Sequence, residues 1–257
     1  METTLFDLTG RTAVVTGGGR GIGLGIAAGL AQHGADIVLV ARTKEQLERA
    51  AAGLRSKTGR QVRTFAFDVS RLEAIDGLFD EIIEATGGVD ILVNCAGTTI
   101  RGPAEDIDLE SWSTVQSVNL TAALRTSQAL WRHCREQSKP GRIINIGSLT
   151  CHAARPGTGP YASSKMGLMS LTQTLAAEWA KYHINVNILA PGYIATELTQ
   201  PLQDDPELDK WVLDNTPMGR WGTPEDMAGA AVLLASKGGE FITGQIIYVD
   251  GGWLSHI

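Results

Sequence analysis

Short runs of valine, isoleucine and leucine alternate along the chain with longer stretches whose apolar residues recur at helical spacing. Seven short runs, at 12–15, 36–40, 62–66, 89–93, 142–146, 184–189 and 246–249, have strand length and are mostly rich in these three residues. Between them, 22–33, 44–57, 72–85, 112–136, 161–182 and 225–235 carry helical patterns. This alternation predicts an α/β fold in which a seven-stranded parallel sheet is doubly wound, with helices on both faces, as a single domain over residues 1–257. One stretch departs from the pattern. Between 193 and 222, Pro201, Pro206 and Pro217 interrupt any long helix and polar residues gather, which predicts a lid over a site. A surface excursion or a subunit contact is the alternative reading of that stretch.

The apolar fraction of 43% and charged fraction of 19% are those of a soluble globular chain, so disorder is not expected. A formal charge of -6 supplies no basic footprint for nucleic acid. The start, Met1-Glu2-Thr3-Thr4-Leu5, lacks a basic n-region and apolar run, and no later segment is apolar enough to span a bilayer, so a cytoplasmic location and no membrane partner are expected. Cys95, Cys134 and Cys151 are odd in number and widely spaced, which predicts reduced thiols and no disulfide framework. His33, His133, His152, His183 and His256 form no convincing ligand set, so no metal is expected.

The first strand runs into Thr16-Gly17-Gly18-Gly19-Arg20-Gly21-Ile22-Gly23 and then into a helix. Glycines there permit a sharp turn and close approach of a pyrophosphate, which then faces the N–H groups and dipole of the helix start. In strand–turn–helix context this points to a Rossmann dinucleotide site. At the end of the second strand, where a carboxylate would hold an adenosine ribose and repel a 2′-phosphate, the chain has Ala41-Arg42-Thr43. Arg42, with Arg20 approaching from the other side, predicts NADP(H) over NAD(H).

Ser148, Tyr161 and Lys165 follow downstream with the spacing Ser-x12-Tyr-x3-Lys. On a helix, the i, i+4 step puts the Tyr161 phenol and the Lys165 ammonium on one face, where the cation favours phenolate. Bringing a phenol from its ordinary pKa of about 10 toward neutrality takes about 3–4 kcal/mol of environmental bias, and Lys165 is the expected source. Ser148 would hold a carbonyl oxygen in line with the phenol. The set reads as a proton donor beside a hydride donor.

These residues resemble the short-chain dehydrogenase/reductase family over nearly the whole chain. The likeness includes Asp68-Val69, Asn94-Cys95-Ala96-Gly97, Asn119, Asn145-Ile146-Gly147-Ser148, Pro191-Gly192 with Thr196, and Asp250-Gly251-Gly252, in the family's order. Cys95 stands where the family usually has a second asparagine. The resemblance implies that Gly17, Gly19, Arg20, Gly21, Ile22 and Gly23 hold the pyrophosphate region, that Asp68 and Val69 contact adenine, and that Asn94, Ala96 and Gly97 border the cofactor. It further implies that Pro191, Gly192, Ile194 and Thr196 lie beside the nicotinamide and its phosphates, and that Lys165 also holds the nicotinamide ribose. Asn119 would join Ser148, Tyr161 and Lys165 through a water relay. A homotetramer is implied, with the helices at 112–136 and 161–182 packing between subunits.

The reaction implied is interconversion of a hydroxyl and a carbonyl on a small molecule. The segment 192–222 and the C-terminal residues look most like sugar-acid dehydrogenases of the gluconate 5-dehydrogenase type. Arg101, His152 and Arg155 lie in loops expected at the mouth of the site, with Trp211 and Trp221 as walls. Reduction of a 3-oxoacyl thioester on acyl carrier protein, and a non-catalytic NADPH-binding sensor, are the alternatives.

Overall fold

The computed structural model describes residues 4–255; residues 1–3, which begin the N-terminal stretch read above, and His256 lie outside the described residues. The chain folds as β1 (Thr12–Thr16), α1 (Gly21–Gln32), β2 (Asp36–Ala41), α2 (Lys44–Thr58), β3 (Val62–Ala66), α3 (Ile75–Thr86) and β4 (Ile91–Asn94). It continues as α4 (Leu109–Gln116), α5 (Ala122–Glu136), β5 (Gly141–Ile146), α6 (Gly159–Trp179), β6 (Ile184–Pro191), α7 (Gln200–Gln203), α8 (Pro206–Asn215), α9 (Ala228–Ala235) and β7 (Ile246–Val249). The strands form one sheet in the order β3-β2-β1-β4-β5-β6-β7, and every neighbouring pair is parallel.

Both faces of this sheet are covered, which is why its strands read as apolar runs with little polar alternation. Ala13, Val15, Ile37 and Leu39 pack into one layer with α1, α2 and α9. Their neighbours Val14, Val38 and Val40 point the other way, into a layer with α3, α5 and α6. Because all strands are parallel, their C-terminal ends share one edge. The order reverses at β1, which lies between β2 and β4, and a crevice for a ligand opens at such a reversal.

The differences from expectation are local. The strand expected at 89–93 starts at Ile91, because the Val89 N–H is turned to the His133 ring at 3.2 Å. The helix expected at 112–136 starts earlier, at Leu109, where Asp108 caps it by accepting from Ser111 N at 2.7 Å. It is also interrupted by a π turn, Ser117–Thr121, that carries Asn119. In the 193–222 segment Pro201 and Pro206 fall in the first turns of α7 and α8, where a missing N–H costs nothing. The prolines that interrupt a long helix here begin two short ones.

Candidate active site

At the end of β1, Thr16 Oγ1 accepts from Cys95 N at 3.0 Å and Ala96 N at 3.1 Å and donates to Val93 O at 3.3 Å, stitching β1 to β4. Gly17 follows in the left-handed region, φ +67, and an added Cβ would press on the Ala96 backbone at 3.0 Å. A Cβ on Gly23 would lie 2.5 Å from Gly17 O, so the first turn of α1 rests directly on the loop. That turn carries no acidic residue and no side-chain cap, which leaves its N–H groups to an anion. A close-packed backbone cradle of this kind fits a dinucleotide pyrophosphate.

Gly19 borders the end of β2, where its added Cβ would meet Ala41 Cβ at 3.7 Å, and Gly21 borders Thr196, 3.5 Å from its Cγ2. Ile22 packs partly onto the core. Arg42 is exposed and makes no ion pair among the described residues, and its charge acts on Asp68. The Arg20 guanidinium, at the other side of the turn, is engaged by Glu197 from the segment after β6. Asp68 accepts from Ser70 N at 2.9 Å, so it also shapes the turn before α3.

Val69, Asn94, Ala96 and Asn119 meet around one small cavity of about 10 Å³. Asn94 is occupied below the crevice: its side-chain amide donates to Asn145 Oδ1 at 2.9 Å and its carbonyl accepts from Thr126 Oγ1 at 2.7 Å. Gly97 faces Asn119, 3.5 Å from Oδ1 at its Cβ position. Pro191 ends β6, and Gly192 N donates to Val249 O at 2.9 Å. Ile194 buries its side chain in the core and bridges to Gly222, so only its backbone can border a cofactor.

Ser148 sits at the end of β5 and accepts from Thr150 N at 3.1 Å. Tyr161 and Lys165 lie one turn apart on α6, as the spacing requires. Lys165 is buried at 5% exposure, donates to Ile146 O at 2.7 Å, and holds its Nζ 5.6 Å from the centre of the Tyr161 ring. Burial pushes the Tyr161 phenol up from its ordinary value, against the Ser148 hydroxyl and the Arg101 charge, which lower it. Burial also pushes the Lys165 amine down. The cation expected to dominate the phenol thus sits over the ring and is tied to a strand carbonyl. Asn119 is buried in the π turn with both amide donors used: Oδ1 accepts from Thr98 N at 2.8 Å, and Nδ2 donates to Thr98 O at 2.9 Å and Ser164 Oγ at 3.0 Å. It clamps the loop after β4 to the helix that carries Tyr161 and Lys165.

All three cysteines are free thiols, and loss of water pushes Cys95 up to about 12. Cys151 is buried, is likewise pushed up, and donates to Lys165 O at 3.4 Å. Among the described residues no group of three or more His, Cys, Asp or Glu could hold a metal ion, and no helix is long and apolar enough to cross a membrane.

Two features escaped the sequence reading. Asn145, noted only as part of a motif, links Asn94 to Thr172 of α6 through a 2.9 Å bond on each side, which fixes the height of α6 against the strands. Tyr193 stands at the centre of an aromatic cluster, with ring centres 5.8 Å from Trp211, 5.8 Å from Trp221 and 4.7 Å from Trp253. Of the three residues expected at the mouth, Arg155 is half-buried and donates to Tyr193 Oη at 2.9 Å, while Arg101 and His152 are exposed. Nearness of Tyr and Trp in space was the missing signal.

Residues 17–254 match the protein-family model described as enoyl-(acyl carrier protein) reductase. The chain is similar to gluconate 5-dehydrogenase of Gluconobacter oxydans, 41% identical over 248 residues, which cover 96% of each protein. It is also similar to 2-dehydro-3-deoxy-D-gluconate 5-dehydrogenase of Escherichia coli, 39% identical over 257 residues, covering 99% of this chain and 100% of the other. Among solved structures, a gluconate 5-dehydrogenase from Burkholderia cenocepacia in complex with NADP and tartrate superposes with a TM-score of 0.94 at 40% identity, covering 100% of both chains.

Proposed function

The chain belongs to the short-chain dehydrogenase/reductase family, and from that membership we propose that it is an NADP(H)-dependent oxidoreductase interconverting the hydroxyl and carbonyl forms of a sugar acid such as gluconate and 5-ketogluconate. The observation that carries this reading is the meeting of Ser148, Tyr161 and Lys165 at the edge of the sheet that also presents the glycine turn, in a chain similar along its length to sugar-acid dehydrogenases. Preference for NADP(H) is supported by Arg42, which is exposed and makes no ion pair among the described residues, and by the missing carboxylate at the end of β2.

Bound NADPH supplies the hydride. Gly17, Gly21 and the first turn of α1 would hold its pyrophosphate, and Asp68 and Val69 its adenine. Ser148 orients the carbonyl oxygen of the substrate, and Tyr161 gives that oxygen its proton. Burial keeps the phenol protonated, which is the form that reduction consumes. Lys165 has one donor on Ile146 O and keeps the others for a ribose hydroxyl. With both its amide donors engaged, Asn119 serves the site by fixing the loop after β4 against α6. The 193–222 segment is the lid, since Tyr193 and Trp211 carry it against Arg155 beside the catalytic loop. The protein assembles as a homotetramer through α4 to α6, where Leu109, Trp112 and Met166 are exposed.

A carbonyl panel followed by NADPH absorbance tests the reading: 5-ketogluconate is reduced and a 3-oxoacyl thioester is not. In the same assay Tyr161→Phe lowers kcat by about 10²- to 10⁴-fold and leaves NADPH binding intact. Turnover retained in the variant would remove Tyr161 from the role of acid. Tight NADPH binding with no turnover of any carbonyl compound would make the protein a sensor.

A further inference from the structure

Arg155 is the half-buried cation of the catalytic side, and among the described residues it has no carboxylate partner, although the protein is acidic overall. Its NH1 donates to Tyr193 Oη at 2.9 Å, and its guanidinium carbon lies over the Trp211 ring, 5.0 Å from the centre. The group is thus oriented by a hydrogen bond and a ring face, neither of which neutralises it. A cation held this way, with NH2 and Nε left over, offers the planar fork that takes a carboxylate in two parallel bonds. The Tyr193 oxygen accepts from Arg155, so its own O–H remains to donate.

The surrounding loops hold this arrangement next to the acid. Thr158 Oγ1 donates to Arg155 O at 2.7 Å, a few residues before Tyr161 on the same connection. Gly102 N donates to Gly157 O at 3.2 Å and ties in the loop of Arg101. Arg101, on that tied loop, lies near enough for its charge to act on both the Tyr161 and the Tyr193 phenols. We propose that Arg155 and the Tyr193 hydroxyl form the seat for the substrate's carboxylate, so that a sugar acid lies with its carboxyl end on Arg155 and its reacting carbon at Tyr161. This rests on the sugar-acid reading above and adds the direction in which the substrate lies. It also explains what the lid contributes, because α8 supplies Trp211 and holds the guanidinium from one face.

The test compares the whole enzyme with Arg155→Met, Arg155→Lys and Tyr193→Phe at saturating NADPH, using 5-ketogluconate as substrate and D-gluconate and the uncharged D-glucitol as competitors. Arg155→Met is expected to raise KM for 5-ketogluconate and Ki for D-gluconate by about 10- to 100-fold, the range for losing a hydrogen bond to a charged group. The expected kcat stays within about fivefold, and the Ki of D-glucitol and the affinity for NADPH do not move. Arg155→Lys recovers part of the loss, and Tyr193→Phe, which keeps the ring packing, shows a smaller rise in KM. An unchanged KM in Arg155→Met overturns the seat while leaving the sugar-acid reading standing. A parallel change for gluconate and glucitol also overturns it, since that marks Arg155 as a brace of the lid. If the wild type reduces no sugar acid, the substrate reading fails separately. The seat is then decided by whether D-gluconate raises the Tm of the NADPH-loaded wild type but not of Arg155→Met; no rise in the wild type overturns it.

Discussion

The glycine turn and the segment after β6 face each other across one crevice and are built by opposite means. On one side, the site is made by what is missing: Gly17 and Gly23 bring backbone against backbone, with no room for a Cβ at Gly23. On the other, Tyr193, Trp211, Trp221 and Trp253 interlock as large rings, and Trp221 Nε1 donates to Asp209 Oδ1 at 2.7 Å to hold α8. The two sides touch where Thr196 meets Gly21 and Glu197 meets Arg20. A backbone-built wall has one acceptable geometry and suits a ligand that does not vary. A wall of side chains can be changed residue by residue, and so suits the choice of substrate.

The sharpest way to break this contrast is Gly23→Val. The new Cβ would lie 2.5 Å from Gly17 O and 2.9 Å from Gly17 C, so either the loop or α1 must move. Overpacking of this kind costs about 1–3 kcal/mol. Because the strain falls on the pyrophosphate cradle, NADPH affinity is expected to drop by about 10- to 100-fold. Fluorescence titration of NADPH reads the loss, and an affinity within threefold of wild type would show that the cradle is not closed as described.

Arg42→Asp sharpens the same side without disturbing its backbone. Arg42 is exposed and makes no ion pair among the described residues, so removing it opens no structural contact. Aspartate would repel a 2′-phosphate and accept from ribose hydroxyls. The ratio of kcat/KM for NADPH over NADH should fall by about 10- to 100-fold, the span of one charge-assisted contact. An unchanged ratio would remove Arg42 from cofactor choice and leave Arg20, now paired with Glu197, as the residue to examine.

The two walls also differ in how far the amino-acid order alone revealed them. The seven strands, the glycine turn and the Tyr161–Lys165 step are local patterns, carried by residues within a few positions of one another, and they emerge at or near the expected boundaries. The π turn at Asn119 was not visible, because its residues are ordinary helix residues and the reason for it lies in the bonds to Thr98 and Ser164. Asn94, Asn145 and Thr172 join across two strands and a helix, and no spacing rule connects them. Arg20 with Glu197, and Arg155 with Tyr193 and Trp211, pair residues remote in sequence, so their partners were hidden while their types were not. Ile194 shows the converse, since the motif marks its place beside the crevice but not that its side chain turns into the core.

The smallest expected effect, and the one confined to the side-chain wall, comes from Trp211→Ala. Trp211 is 39% exposed, so its truncation leaves little buried cavity and little change in overall stability. What it removes is the ring face under Arg155 and the edge contacts with Tyr193 and with Trp253, whose ring centre is 5.0 Å away. A cation–π contact of this exposure and an aromatic pair are each worth about 1 kcal/mol. A several-fold to tenfold rise in KM for the sugar acid is therefore expected, with α8 loosened and cut faster in limited proteolysis. NADPH affinity should stay as in the wild type, because no atom of the glycine cradle touches Trp211 among the contacts described. If NADPH affinity fell together with substrate affinity, the link between Glu197 and Arg20 would have to carry the disturbance across the crevice. Adding Glu197→Gln to Trp211→Ala separates the two cases: a coupled pair of walls loses its shared response once that ion pair is cut, and independent walls respond as before.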